Sequence, residues 1–256
     1  MAISLATALP FNSDSAAVAV SPDDLSESSR ATDVNDVNLR RKLITNARPA
    51  AQVYTVTLTL PADQRINFVS IIDPSISGAA TISLLPVAGG QLINNGQTAQ
   101  ALVAGSAAHR LFAQTYTGVR LIQVAFPEVP ANTRLECALI VAGELVSPQA
   151  LPQSVRTNLG RLRFERLPRG IQVPSSSRAL FREINITWTA LTRVERNELR
   201  DLYRSSNETS SVVFYDDAND DEALVGFIDG PLVITDRQFS DYSDSRLRIQ
   251  EVVPAI

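Results

Sequence analysis

Several side chains are almost missing from this chain. Its 256 residues include one cysteine, Cys137, one histidine, His109, and one lysine, Lys42. A single cysteine excludes an intrachain disulfide, and one cysteine with one histidine falls short of a zinc ligand set. Any Ser/His/Asp arrangement would have to use His109, which sits between Ala108 and Arg110 in a loop-like stretch with no nucleophile-elbow motif. It reads as an ordinary surface histidine, and no enzyme is expected. Long apolar runs are missing too. Nothing approaches the roughly 18 consecutive apolar residues of a membrane-spanning helix, so no membrane partner is expected. The opening MAISLATALPFNSDSAAVAV has no basic residue ahead of its apolar stretch and is interrupted by Pro10, which makes a poor secretory leader. Synthesis and retention in the cytoplasm, or assembly there into something larger, is the expectation.

What is present is ordinary in amount and unusual in kind. Hydrophobic residues make up 45% and charged residues 20%, with a formal net charge of −4. That balance does not suit a surface built to meet nucleic acid. All basic residues except Lys42 are arginine, which holds fixed bidentate partners better than lysine and so suits interfaces. Base composition of the genome explains the same bias equally well.

The chain divides by pattern. Residues 1–50 are rich in Ser, Asp and Ala, with no sustained period, and read as a loop-rich arm with a short strand near Ala17–Val20. Segments of this composition order against a partner. Residues 51–146 read as a β-sandwich. QVYTVTLTL alternates Tyr54, Val56, Leu58 and Leu60 on one face. RINFVSIID (65–73), ATISLLPV (80–87), GVRLIQVAF (118–126) and RLECALIVAGEL (134–145) follow, separated by Pro, Gly and Asn. Between the third and fourth of these strands lies a long polar loop, 88–110, the expected place for a binding surface. Residues 147–160, with two prolines, read as a linker. Residues 161–256 read as a second, small β domain. RLRFERLP (161–168) and REINITWTAL (182–191) are its first strands; SVVFYDD, ALVGFIDGPLVI and SRLRIQEVV follow. Between them Thr192 and Glu195 stand at capping-box spacing before a helix running to about Ser205, with Leu199, Leu202 and Tyr203 on one face. Such a helix can cover a sheet too small to bury itself.

Few residues here suggest chemistry. Cys137 alternates with Leu135, Leu139 and Val141 and reads as a small buried hydrophobe. In DDANDDEA (216–223), Asp217, Asn219 and Asp221 match the first ligands of an EF-hand loop. Glu222 then stands where glycine is needed, and Ile228 where the closing glutamate should be. A solvated hairpin tip fits better than calcium, and no metal or cofactor is expected. Phosphate-binding glycine patterns are absent. Arg156, Arg161, Arg163, Arg166 and Arg169 form a basic cluster. Without interleaved aromatics beyond Phe164 it favours acidic protein neighbours over nucleic acid, and reads as an interface.

The second half resembles the minor-tail and distal-tail proteins of tailed phages. The resemblance spans about residues 161–253. It rests on INITWTALTRVERNELRDLY, a strand ending in tryptophan and a capped helix with an L-x-x-L-Y close, then on VVFYDDANDDEALVGFIDGPL and RLRIQEV. The preceding part resembles galactose-binding-like sandwiches found in the same proteins, through TLPADQRINFVSIIDPSISGAATISLL. The resemblance implies a structural virion component at the tail tip, baseplate or an adaptor ring, assembled in the host cytoplasm. A homo-oligomeric ring and other tail proteins would be its partners, the arm reaching over a neighbouring subunit. Sandwiches of this kind also bind sugars, so the alternative is a carbohydrate-binding module contacting a host surface glycan. The loop 88–110 has no aromatic residue. Phe112 and Tyr116, just after it, are the candidate glycan contacts.

Overall fold

The structure is a computed structural model. It describes residues 3–7, 18–35, 42–86, 92–93, 96–105, 107–144, 153–161, 164–166, 172–174, 180–205, 212–216, 222–236 and 241–251. The chain forms two compact units: Leu9–Glu144, and Met1–Ala8 together with Leu145–Ile256. Sequence order therefore does not follow the units, because the first residues belong with the last. Every strand pairing described below is antiparallel.

Leu9–Glu144 is a β-sandwich, as its alternation predicted. Elsewhere in the chain, β1 (Ile3–Thr7) is part of the other unit. The sandwich begins with β2 (Val18–Ser21), a 3-10 turn (Ala31–Asn35) and β3 (Leu43–Ile44). Then come β4 (Thr55–Ile72), β5 (Gly78–Leu85), β6 (Gln97–Leu102), β7 (Ala107–Ala125), β8 (Glu136–Cys137) and β9 (Leu139–Gly143). The sheet order is β2-β4-β7-β5-β6, with β9 also on β4, and β3 pairs with β8. β4 and β7 are long enough to change partners along their length. The first part of β4 lies between β2 and the end of β7, and its last part between β9 and the start of β7. The core takes Val56, Leu58, Leu60 and Ile66 from even positions of β4, then Val69 and Ile71 from odd ones. This change of parity marks an irregularity on which the candidate site depends.

Three expectations for this half are corrected. Residues 18–35 and 42–50 are not an arm reaching over a neighbour. β2 pairs with β4, and Val18, Val20, Val34 and Leu43 are part of the sandwich core. The short strand expected near Ala17–Val20 is β2. The segment 88–110 is not one loop, since β6 and the start of β7 occupy much of it. β6 is an edge strand carrying Gln and Thr, so it needs no apolar alternation. His109 consequently lies on β7, opposite Ser70, and not in a loop.

In the other unit the described residues form a large sheet, a small two-stranded one and one helix. After β10 (Gln153–Arg161), β11 (Phe164–Arg166), β12 (Gln172–Pro174) and β13 (Leu180–Leu191) comes α1 (Arg193–Ser205). β14 (Val212–Asp216), β15 (Glu222–Ile228), β16 (Val233–Asp236) and β17 (Ser243–Glu251) follow. The order is β1-β14-β15-β17-β13-β10, with β16 on β17 and a separate β11–β12 pair. Residues 153–160, expected as linker, are thus an edge strand, paired from Gln153↔Trp188 to Arg161↔Leu180. Residues 3–7 are not loop either: they extend the opposite edge, Ile3↔Asp216 to Thr7↔Val212. Edge strands lack the strong alternation of half-buried central ones, which hid both from pattern reading. Where β15 passes β17, a Cβ on Gly226 would stand 2.4 Å from the Gln250 carbonyl oxygen, so only glycine fits there.

The helix caps as its sequence requires. The Thr192 backbone N–H donates to Glu195 Oε2 at 2.7 Å, and the Glu195 N–H donates to Thr192 Oγ1 at 3.4 Å. Leu199 and Leu202 are buried with Trp188, Ile184, Ile186, Leu191, Leu247 and Ile249 in a second core, and Tyr203 packs against it. The closing strand shows the alternation read from it, Leu247 and Ile249 inward, Arg246 and Arg248 outward.

Candidate functional site

The irregularity in the sandwich lies where β4 and β7 bend together. Thr59 pairs with Leu121 and Gln64 with Val119, so Leu60 to Asp63 stand opposite Arg120 alone. Ile66 then pairs with Tyr116 and Phe68 with Leu111, so Asn67 alone faces Phe112, Ala113, Gln114 and Thr115. The chain thus pushes a short segment out of β7 without ending the strand. Between these two lies a third shift, where Arg65 alone faces Thr117 and Gly118, the glycine at φ 71. Bulges of this sort re-aim side chains at the rims of sheets.

The protruding segment and its supports carry the polar chemistry of this corner. Phe112 is half-buried against the core, and its ring meets Tyr116 edge-on, centroids 5.4 Å apart. Tyr116 is only 9% exposed. Of the two candidate glycan contacts, then, Phe112 retains accessible surface and Tyr116 serves as its backing. Asn67 Nδ2 donates to Thr115 Oγ1 at 3.4 Å, and Gln114 is exposed. Arg65 and Glu144 pair at 2.8 Å beside the bend. The sequence marked Phe112 and Tyr116 but gave no sign that the intervening residues leave the ladder. Arg110, two positions before Phe112, drew no attention either. Its signal was the odd alternation of Ala108, Arg110 and Phe112 on one strand face.

Several charged and nucleophilic groups elsewhere are tied into the fold. Asp24, almost fully buried, accepts hydrogen bonds from Nε and Nη2 of Arg48, from Asn46 Nδ2 at 3.0 Å and from the Tyr54 hydroxyl at 3.1 Å. The Arg48 hydrogen bond, followed by that of Asn46, holds its carboxyl down at about 2. Lys42, the one lysine, pairs with Asp73 at 2.6 Å. Cys137 is fully buried, and burial pushes its thiol up to about 12, which suits the small hydrophobe expected and not a nucleophile. In the other unit, Arg196 Nη1 donates to Asp236 Oδ1 at 2.8 Å, and the Ser243 hydroxyl donates to the same oxygen at 2.7 Å. The Ser243 bond first, then Arg196, lowers the Asp236 carboxyl. These contacts fasten α1 to β16 and β17.

Among the described residues, no group of three or more His, Cys, Asp or Glu could hold a metal ion, and no helix is long and apolar enough to cross a membrane. Asp217, Asn219 and Asp221 lie outside the described residues, though the strands flanking them pair as a hairpin, Asp216↔Glu222. Of the five clustered arginines, Arg163 and Arg169 lie outside the described residues. Arg156 and Arg161 sit on β10 and Arg166 on β11, in different sheets.

No family model and no curated protein matches this chain. Solved structures do. One is chitosan-binding module 1 derived from a chitosanase/glucanase from Paenibacillus sp. IK-5, at 13% identity and TM-score 0.39, covering 50% of this chain and 93% of that one. A second is CBM32-1 from a family 31 glycoside hydrolase from Clostridium perfringens, at 10% identity and TM-score 0.38, covering 53% and 99%. A third is a Streptococcus pneumoniae fucose binding module, at 12% identity and TM-score 0.37, covering 52% and 94%. At these scores nothing about ligands carries over to this chain.

Proposed function

We propose that this chain is a non-catalytic binding protein whose sandwich unit recognises carbohydrate at the β4–β7 corner. The observation that carries this reading is the protrusion from Phe112 to Thr115, which sets a half-buried phenyl ring beside amide and hydroxyl side chains. Sugar hydroxyls both donate and accept, as Asn67, Gln114 and Thr115 do, while the C–H face of a sugar ring needs an apolar plane. Phe112 supplies that plane and Tyr116 fixes its tilt. The test is a glycan array with the full chain. Binding should fall about tenfold or more in Phe112→Ala and survive Tyr116→Phe. An array with no binder, or binding untouched by Phe112→Ala, overturns the reading.

A second reading has its own support. In the unit resembling phage tail proteins, the tryptophan-ended strand, the capped helix, the hairpin and the closing strand occur in the order that resemblance requires. On this reading the chain is a structural part of a virion tail, forms a homo-oligomeric ring, and presents the glycan-binding corner to a host surface. Sedimentation of the purified chain, and its co-purification with particles, test it. A monomer at all concentrations that never enters a particle removes it.

A further inference from the structure

Arg110 is placed where an arginine needs a reason. It pairs with Val69, which is fully buried, and lies two residues from Ala108, whose side chain is in the sandwich core. Directly opposed residues on an antiparallel pair share a face. The Arg110 side chain therefore starts on the inner face of the sheet, at the rim where β7 leaves the ladder. It is only partly exposed, and its Nε is buried without a hydrogen-bond partner. The carboxylate at the end of β9, Glu144, is taken by Arg65. Asp63, on the β4 side of the bend, faces Arg120 at 4.0 Å.

A guanidinium cannot shed its charge to escape burial, and its five N–H donors are costly to desolvate unmatched. Where the charge serves only to carry an aliphatic stem, the head normally reaches water; here the Nε is withdrawn from it. An anionic acceptor at the rim resolves the mismatch, and a planar carboxylate suits the fork of donors best.

Resting on the carbohydrate reading above, we propose that the saccharide held at this corner is acidic, and that Arg110 binds its carboxylate while Phe112 covers its ring. The neutral amides and hydroxyls alongside favour a sugar acid over an acidic peptide, whose backbone would ask for a strand edge.

The experiment compares matched pairs on the full chain: sialyllactose with lactose, and oligogalacturonate and hyaluronan fragments with their carboxyl-reduced forms. The expected result is that at least one acidic member binds about tenfold or more tighter than its neutral counterpart, weakening as salt rises. Arg110→Gln should erase that difference, so that acidic and neutral members bind alike; Arg110→Lys should retain part of it. Because the wild-type comparison stands alone, a variant that fails to fold does not block the test. Equal binding of acidic and neutral members overturns this inference and leaves the carbohydrate reading intact. Binding of no saccharide overturns both. Arg110-dependent binding of the synthetic peptide DDANDDEA in place of any sugar assigns the anion site to a protein partner and overturns the saccharide proposal.

Discussion

The two units solve one problem in opposite ways. A sheet with one apolar face must cover it, and the sandwich does so with its own strands. β4 and β7 run through an irregular corner and change partners along their length, so the core on either side of the corner is lined by continuous strands. The other unit covers its main sheet with α1 and takes an edge strand, β1, from the far end of the chain. Closure by bending costs regularity: the ladder breaks at the corner, and the side chains freed there become available for binding. Closure by recruitment leaves the ladder less disturbed but makes the unit dependent on distant sequence. The corner that bends is the one proposed to bind.

Removing residues 1–8 tests the recruitment directly. The loss should fall on the C-terminal unit although the deletion is at the N-terminus. Several ladder hydrogen bonds at about 1 kcal/mol net each put the cost near 3 kcal/mol. Trp188, the sole tryptophan, is fully buried in that unit, so its emission reports that unit alone. Its urea midpoint should drop while amide protection in β4 and β7 holds. Lost protection in the sandwich with an unchanged tryptophan midpoint would reverse the assignment.

The sandwich has its own fastening in Asp24. Asp24→Asn removes a charge-assisted acceptor from Arg48 and should cost about 2 kcal/mol at neutral pH, read as lost amide protection in β2 and β4. The pH dependence follows from the lowered carboxyl. A depressed acid contributes its stability in full above the ordinary aspartate value of about 4 and loses it as pH falls through about 2. Between those limits the wild type should weaken with acid, while Asp24→Asn should show no contribution from this site. Parallel curves would mean that Asp24 is not the titrating group.

How much of this was legible in the sequence depended on where each strand sits. Central strands were readable because one face meets a core: Val56 and Leu58 on β4, Ile184 and Ile186 on β13, Leu247 and Ile249 on β17 all alternate visibly. The helix was readable to its cap, since Thr192 and Glu195 act over three residues of local chain. Edge strands were not, and β1, β6 and β10 were read as arm, loop and linker. β1 depends on a partner far away in sequence, and β6 and β10 each meet a single neighbouring strand. The corner was half-legible. Phe112 and Tyr116 stood out as aromatics, but the register shift that takes Phe112 out of the ladder is a property of two strands together. Arg110 showed only as an arginine interrupting the alternation of Ala108 and Phe112, because its inward start is defined by its pairing with Val69.

The cap is a local device, and its loss should be correspondingly small. Thr192→Ala removes the Oγ1 acceptor for the Glu195 N–H and should lower the tryptophan-reported stability by about 1 kcal/mol. A change of several kcal/mol would mean that α1 folds only when capped, making the recruited cover more fragile than its packing on Leu199 and Leu202 implies.

The smallest effect gives the most symmetrical comparison. Each unit holds a residue in the left-handed region beside a register shift: Gly118 at φ 71 in the sandwich, and Ala190 at φ 62 in the bulge where Trp188 and Leu191 oppose Ser245 and Ser243. A Cβ there costs an L-residue roughly 1 kcal/mol. In the second unit that cost is borne, and the Ala190 N–H is held by Asp244 Oδ1 at 3.0 Å. Ala190→Gly should therefore stabilise by about 0.5 kcal/mol, the relief being partly offset by the extra freedom glycine gives the unfolded chain. Gly118→Ala should destabilise by about 1 kcal/mol. No atom of the described residues lies within 4 Å of where its Cβ would stand, so backbone conformation sets the cost. Opposite signs, measured by the tryptophan midpoint for one and by amide protection in β7 for the other, would show that the two bulges impose the same backbone demand and that only the sandwich meets it with glycine. If Ala190→Gly destabilised the chain, the Ala190 methyl group would have to be part of the packing that holds α1 down.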